Sequence, residues 1–458
     1  MSENGISEKS YKLIIKSFQE FNEIEKVILF GSRAIGNYKS GSDIDIAVSG
    51  KNISDNLITK LSVLINQKLS IPYFVDIINF KTIKNEALKE HIENFGKIIY
   101  KKKRYYINGT ASISPQNTLD YGNFLNGINE YEDIFLKSVK PNYKNYMKPI
   151  EARRMSKTVK NGIICSRIAM QEAETDMPDA IIFGTGLGIV SDTEKFLEKM
   201  LIDKEQFLTP TAFIQSTHNT VAGQIAGRIK CHNYNFTYVN RAFSFESALL
   251  DAVMHIKEGK KNILVGGGDE MTEHYYRIIK KTKMWKQQAT KNTNLLKYEN
   301  KGALCGEAVS FFVLSGEKKS GTYAELSDLK TFYKPENINE TRNNIQSFLQ
   351  KNNIRTSDID LIITGHSGNK EDDEIFNELL SYDFPETGAA YYKHLCGEFQ
   401  TASAFAFWLG ANILKNQTYP DFIKLNDKTP DKLKNILIYN HYFNINHSLV
   451  LLREIEED

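Results

Sequence analysis

At 458 residues the chain exceeds one ordinary domain and is expected to divide into two or three. Its 41% hydrophobic and 25% charged residues are those of a globular protein, and a formal net charge of +2 leaves no basic footprint for nucleic acid as the main partner. No run of 18 apolar residues offers a membrane span, the start Met1-Ser2-Glu3-Asn4 is not that of a signal peptide, and Cys165, Cys231, Cys305 and Cys396 form no CxxC pair, so a cytoplasmic protein with reduced, buried thiols is expected.

In chain order, residues 7–20 read as an amphipathic helix and 27–30 as an apolar strand running into Gly31-Ser32. A second strand, 43–48, carries Asp43 and Asp45, which the two-residue period of a strand turns to one face. A helix over 54–69 follows, with Leu57, Leu61, Leu64 and Ile65 on one side. Next come a strand over 73–78 with Asp76 in its middle, a helix over 81–92, and the apolar Ile98-Ile99-Tyr100. The basic run Lys101-Lys102-Lys103-Arg104 reads as a solvated linker and sets the first boundary at 104.

Beyond it, helices are expected over 155–173, 220–229 and 244–258, and strands over 180–183, 236–239, 262–265 and 308–314. Glycine-rich turns are expected at 184–188 and 266–270. A second alternation follows: strands over 323–326, 361–364, 435–439 and 448–452, and helices over 337–351, 372–380 and 400–414. Strands alternating with helices define a layered α/β class, with halves at about 106–316 and 317–458 whose similarity the sequence leaves open.

Two carboxylates held side by side repel unless a cation lies between them, and a hard divalent ion such as Mg²⁺ suits an all-oxygen set that includes Asp43, Asp45 and Asp76. The Gly31-Ser32 turn offers backbone N–H groups and a hydroxyl to a triphosphate. The pattern Gly31-Ser32-Arg33-Ala34, Ser42-Asp43-Ile44-Asp45 and then Asp76 resembles the minimal nucleotidyltransferase domain of the DNA polymerase β superfamily over about the first hundred residues. The resemblance implies that Gly31 and Ser32 bind a nucleoside triphosphate and that the three aspartates bind Mg²⁺.

From Gly109 onward the chain resembles a β-ketoacyl synthase of the thiolase superfamily, which implies a layered α/β/α/β/α fold. The likeness rests on Arg153-Arg154-Met155-Ser156, the turn 183–188, Pro210 with 213–219, Ala222-Gly223-Gln224, the glycines 266–268 and Gly306-Glu307. Such enzymes need a cysteine thiolate at a helix start and two histidines that stabilise the developing oxyanion. Laid on that pattern, Asn240-Arg241-Ala242-Phe243-Ser244 places Ala242 at the nucleophile position, His366 at the first histidine, Lys393 at the family lysine and Glu398 at the second histidine. His441-Tyr442-Phe443-Asn444 stands in place of a glycine-rich loop. Ser244 is a poor substitute thioester acceptor, and His218 and His232 read as structural.

Alanine cannot be acylated. The resemblance therefore implies a chain-length factor, the cysteine-less partner of an active ketosynthase, in fatty-acid or polyketide assembly such as aryl-polyene or flexirubin-type pigments. The implied partners are acyl carrier protein and either a cysteine-bearing ketosynthase or a second copy; no cofactor is expected for this part. A retained decarboxylation or other acyl transfer by His366, Lys393 and Glu398 stays open, as does nucleotidyl transfer as the working activity with the large domain as a binding module. A fusion without coupled function is the third reading.

Overall fold

The computed structural model describes residues 4–39, 41–50, 52–153, 155–206, 210–297 and 301–456; Arg154 of the motif above lies outside the described residues. The chain separates into two compact units, one of residues 1–103 with 351–353, the other of 104–350 and 354–458.

The small unit runs α1 (Glu8–Phe18), β1 (Ile24–Phe30), α2 (Gly31–Ile35), β2 (Ile44–Gly50), α3 (Asp55–Val63), β3 (Val75–Asn79), α4 (Glu86–Phe95) and β4 (Lys97–Lys101). Its sheet order is β3-β2-β1-β4, with β2 and β3 parallel and β1 antiparallel to both neighbours. Ile14 and Phe18 of α1 and Leu57 and Leu61 of α3 close over Val27, Leu29, Ile44 and Ile46. The helix expected over 54–69 is α3 followed by a π-helical turn at Leu64–Lys68. The helix expected over 81–92 begins later, because the Asn85 side chain caps it by accepting from the Leu88 N–H, and a 3₁₀ turn occupies Phe80–Thr82.

The large unit contains β5 (Tyr106–Ile113), α5 (Lys157–Glu172), β6 (Ala180–Gly184), α6 (Val190–Ile202), α7 (Thr220–Ile229), β7 (Tyr234–Tyr238), α8 (Ser244–Lys257), β8 (Asn262–Asp269) and β9 (Ala308–Ser315). It continues with β10 (Ala324–Tyr333), α9 (Ile338–Lys351), β11 (Leu361–Thr364), α10 (Lys370–Tyr382), β12 (Gly388–Tyr391), α11 (Ser403–Asn416), β13 (Asn435–Tyr442) and β14 (Asn446–Arg453). The strand order is β12-β11-β13-β14-β10-β5-β9-β8-β6-β7. Each half therefore has the same internal order, third-second-fourth-fifth-first, with the same parallel and antiparallel pairings. That is the internal duplication the sequence left open. Helices α8 and α11 fill the layer between the two half-sheets; α5 and α7 cover the outside of one, α9 and α10 the outside of the other. The result is five layers, α/β/α/β/α.

One expectation changes. Residues 266–269 are not a turn but the end of β8. A Cβ at Gly267 would lie 2.8 Å from the Phe245 ring and 3.0 Å from Ala404, and one at Gly266 would lie 2.6 Å from Phe311. The glycines let α8, α11 and a neighbouring strand close on the strand backbone; they do not cradle a phosphate.

Candidate functional site

In the small unit the aspartates cluster at one end of two adjacent strands. Asp45 and Asp76 are direct partners in the parallel register of β2 and β3, and Asp43 sits exposed just before β2. Phe30 faces Asp45 across β1, so Gly31 follows directly beside the Asp45 carboxylate. A Cβ at Gly31, whose φ is +70°, would lie 2.4 Å from Asp45 Oδ2. Only glycine leaves the carboxylate that space. Partial burial, then Asp76, then Asp43 push the Asp45 carboxyl above the ordinary carboxylate range, with Arg33 opposing. Mutually repelling carboxylates, one of them given room by a glycine, suit a hard cation. Among the described residues, however, no three His, Cys, Asp or Glu side chains already stand in metal-holding geometry. Half-exposed Ser32 lies in the first turn of α2, directly after Gly31.

In the large unit β7 leads into a tight turn at Asn240–Phe243. Arg241 takes φ +49°, and the buried residue at the bend is Ala242, before α8 begins at Ser244. The Ser244 hydroxyl accepts from the Asn240 N–H at 2.8 Å and lies 2.6 Å from the Arg241 carbonyl. It serves the turn and is not a free nucleophile.

The equivalent bend of the second half, between β12 and α11, carries Lys393 and Glu398. Both are fully buried, with Lys393 Nζ 2.6 Å from Glu398 Oε2 and 2.9 Å from the His441 carbonyl. Burial raises the Glu398 carboxyl to about 7 against the pull of Lys393, and its Oε1 has no hydrogen-bond partner.

His366 does not join this pair through either ring nitrogen. Nδ1 lies 2.7 Å from Thr364 Oγ1, Nε2 lies 3.2 Å from Asn377 Oδ1 on α10, and the ring packs 4.8 Å from Phe376. Gly365 is the residue against Lys393, since a Cβ there would lie 3.0 Å from Nζ. Burial holds the His366 pKa at about 4, so the ring is neutral at pH 7. The loop at His441–Asn444 shows why glycines suit it: Phe443 and Asn444 take φ of +47° and +53° at the tip of the β13–β14 hairpin. His441 itself is buried, stacked on Phe376 at 4.4 Å, and its Nε2 lies 3.0 Å from the Asp372 carbonyl.

Sequence reasoning passed over Asp269. Its Oδ1 accepts from the Thr185 hydroxyl and from the Gly186 and Leu187 N–H groups, each at 2.8 Å; its Oδ2 accepts from the Thr401 N–H at 3.1 Å and hydroxyl at 2.8 Å. One carboxylate thereby ties the turn after β6 to the approach to α11. Its position directly behind the glycine run is the signal that could have found it.

Compared with known proteins, residues 12–105 match the family "Polymerase beta, Nucleotidyltransferase", and residues 131–325 match "Beta-ketoacyl synthase, N-terminal domain". Among solved structures, the ishigamide ketosynthase/chain length factor superposes with a TM-score of 0.64 at 16% identity, covering 78% of this chain and 100% of that one. A β-ketoacyl synthase from Burkholderia phymatum STM815 gives 0.64 at 14%, covering 78% and 100%. A ketosynthase in complex with its chain length factor from Xenorhabdus doucetiae gives 0.62 at 14%, covering 77% and 98%. No curated protein matches. The chain thus joins a polymerase-β-type nucleotidyltransferase domain to a second, larger domain. That second domain has the thiolase-like fold of ketosynthases and chain-length factors.

Proposed function

We propose that the large unit is the non-acylating partner of a cysteine-bearing ketosynthase in the assembly of acyl chains on acyl carrier protein, in a polyketide or fatty-acid pathway of the aryl-polyene or flexirubin type. The observation that carries this is Ala242 at the bend before α8, where acyl transfer needs a thiolate. Cys165, Cys305 and Cys396 offer no replacement: burial raises each well above the usual thiol range, which keeps it protonated. A partner reading is also supported by β7. It is one of the two edge strands of the sheet and presents Phe236 at 46% exposure, with Val239 just beyond it at 50%, an open edge that favours pairing.

The test is twofold. A cerulenin-type or acyl-thioester probe is expected to leave this protein unmodified, and the protein is expected to co-purify with a cysteine-bearing ketosynthase encoded nearby. A stoichiometric adduct on this chain, or a clean failure to bind that ketosynthase and carrier protein alike, defeats the reading.

A second activity is favoured by the Gly31–Asp45 fit and the opposition of Asp45 and Asp76. The small unit transfers a nucleoside monophosphate from a nucleoside triphosphate to a hydroxyl-bearing acceptor. The acceptor oxygen bonds to the α-phosphorus and pyrophosphate leaves. Asp43, Asp45 and Asp76 would hold Mg²⁺, whose chemistry when bound is to neutralise triphosphate charge. Gly31 and Ser32 orient the phosphates. Incubation with α-labelled ATP and Mg²⁺ is expected to label an acceptor with the wild type and to lose at least about a hundredfold in rate with Asp45→Ala; equal labelling by the two proteins rules this activity out.

A further inference from the structure

Arg33 follows the Gly-Ser pair and is only 1% exposed, yet among the described residues no carboxylate lies within ion-bridge distance of it; its guanidinium is spent on backbone carbonyls. Nε lies 3.1 Å from both the Ser42 and Asp43 carbonyls, Nη2 lies 2.7 Å from the Ser42 carbonyl, and Nη1 lies 3.1 Å from the Asn4 carbonyl. The plane is flanked by two tyrosines, with the Tyr38 centroid at 5.2 Å and the Tyr73 centroid at 4.9 Å. Those rings belong to the loop before Asp43 and to the segment entering β3, three residues ahead of Asp76. The Tyr73 hydroxyl also meets the N-terminal segment at the Gly5 carbonyl and the Ser7 N–H.

One planar cation therefore joins the three segments that fix where the aspartates stand. It contacts the peptide of Asp43 itself, and its N–H groups are directed at the Ser42, Asp43 and Asn4 carbonyls. Asp43 lies outside the strand, so the sheet ladder does not hold it; the Arg33 fork does.

We propose that Arg33 is the positioning residue of the Asp43–Asp45–Asp76 site, setting its affinity for a divalent cation by fixing the Asp43 backbone relative to β2 and β3. The proposal rests on the metal-nucleotide reading given above. Lysine keeps the charge but cannot span three carbonyls in one plane, so it separates fork from charge.

The experiment uses the full-length protein and Mn²⁺ as probe, read by electron paramagnetic resonance in the presence of ATP, with circular dichroism and thermal melting as folding checks. Wild type is expected to bind Mn²⁺ saturably and Asp45→Ala to lose that binding. Folded Arg33→Lys is expected to bind about tenfold more weakly, as outer-shell changes do, with turnover restored by excess metal. Folded Arg33→Lys binding within about twofold of wild type overturns the proposal. Wild type binding no better than Asp45→Ala overturns the metal reading and this proposal together. If Arg33→Lys does not fold, Tyr38→Leu decides. It removes one flanking ring and is expected to weaken Mn²⁺ several-fold, and unchanged affinity in that variant overturns the proposal.

Discussion

Glu246 carries a carboxyl one turn into α8, the helix that a nucleophile would open, and points it into the layer between the two sheets. It is 1% exposed, and among the described residues neither carboxyl oxygen has a partner at full hydrogen-bond geometry; the Ser403 and Ser448 hydroxyls lie near and oppose part of the burial cost. Burial dominates and raises its pKa. The sign follows: a carboxyl whose folded pKa exceeds its unfolded value costs stability as pH rises past the unfolded value of about 4.3. Glu246→Gln keeps the volume and removes the ionisation. It is expected to raise stability by about 1–2 kcal/mol at pH 8 and to change little at about pH 4, below the unfolded value, read as the difference in denaturant midpoint at the two pH values. A variant less stable than wild type at pH 8 shows that the carboxylate has a partner there. Arg33, by contrast, is a buried charge whose hydrogen bonds are satisfied, which is why the two residues invite opposite expectations on removal.

At the scale of elements, local pattern made much of the fold legible and tertiary context decided the rest. Helix 220–229 was readable to the residue from its apolar period, and strand 361–364 from a short β-branched apolar run between polar segments. The glycines of β8 were not: a residue without a side chain carries no period, and what places them in a strand is the approach of Phe245, Ala404 and Phe311 from three other elements. Helix α6 and strand β12 were not anticipated; β12 is Gly388-Ala389-Ala390-Tyr391, whose small side chains carry little strand signal. The same division holds at the sites. Asp43, Asp45 and Gly31 form a local spacing, and the register of β1, β2 and β3 brings them and Asp76 together. His366 was legible as a residue at a strand end, but its direction was not. Asn377 and Phe376, on a helix that begins after it, claim the ring, while Gly365 occupies the side facing Lys393. The repeated strand order of the two halves was invisible in sequence because topology survives where side-chain similarity does not.

At the scale of the molecule, two opposed sets of buried titratable groups sit in the large unit. His366 and His447 are held at about 4, His394 at about 3, and His441 well below its ordinary value, each chiefly by burial. Their folded pKa values lie below the unfolded value of about 6.5, so their contribution is intact above that pH and shrinks as pH falls through it. Glu398 at about 7 and Asp373 at about 6 are raised, as are Glu246, Asp269 and Glu270. These hold protons in the folded state that the unfolded chain has already lost, so they cost stability as pH rises. Each group acts with a slope of up to about 1.4 kcal/mol per pH unit. Between about pH 5 and 6.5 the histidines and the carboxyls change stability in opposite directions and largely cancel. Above about pH 6.5 the histidines are neutral in both states, and only the carboxyls remain to lower stability. The thermal midpoint of the large unit is therefore expected to be highest on the acid side of neutrality and to fall by about 1–2 °C between pH 6.5 and 9, as Glu398 ionises through about 7. Differential scanning calorimetry across pH 5–9 at constant ionic strength measures this directly. A midpoint that climbs steadily to pH 9 means that ion pairs such as Lys393–Glu398, not desolvation, govern the buried carboxyls.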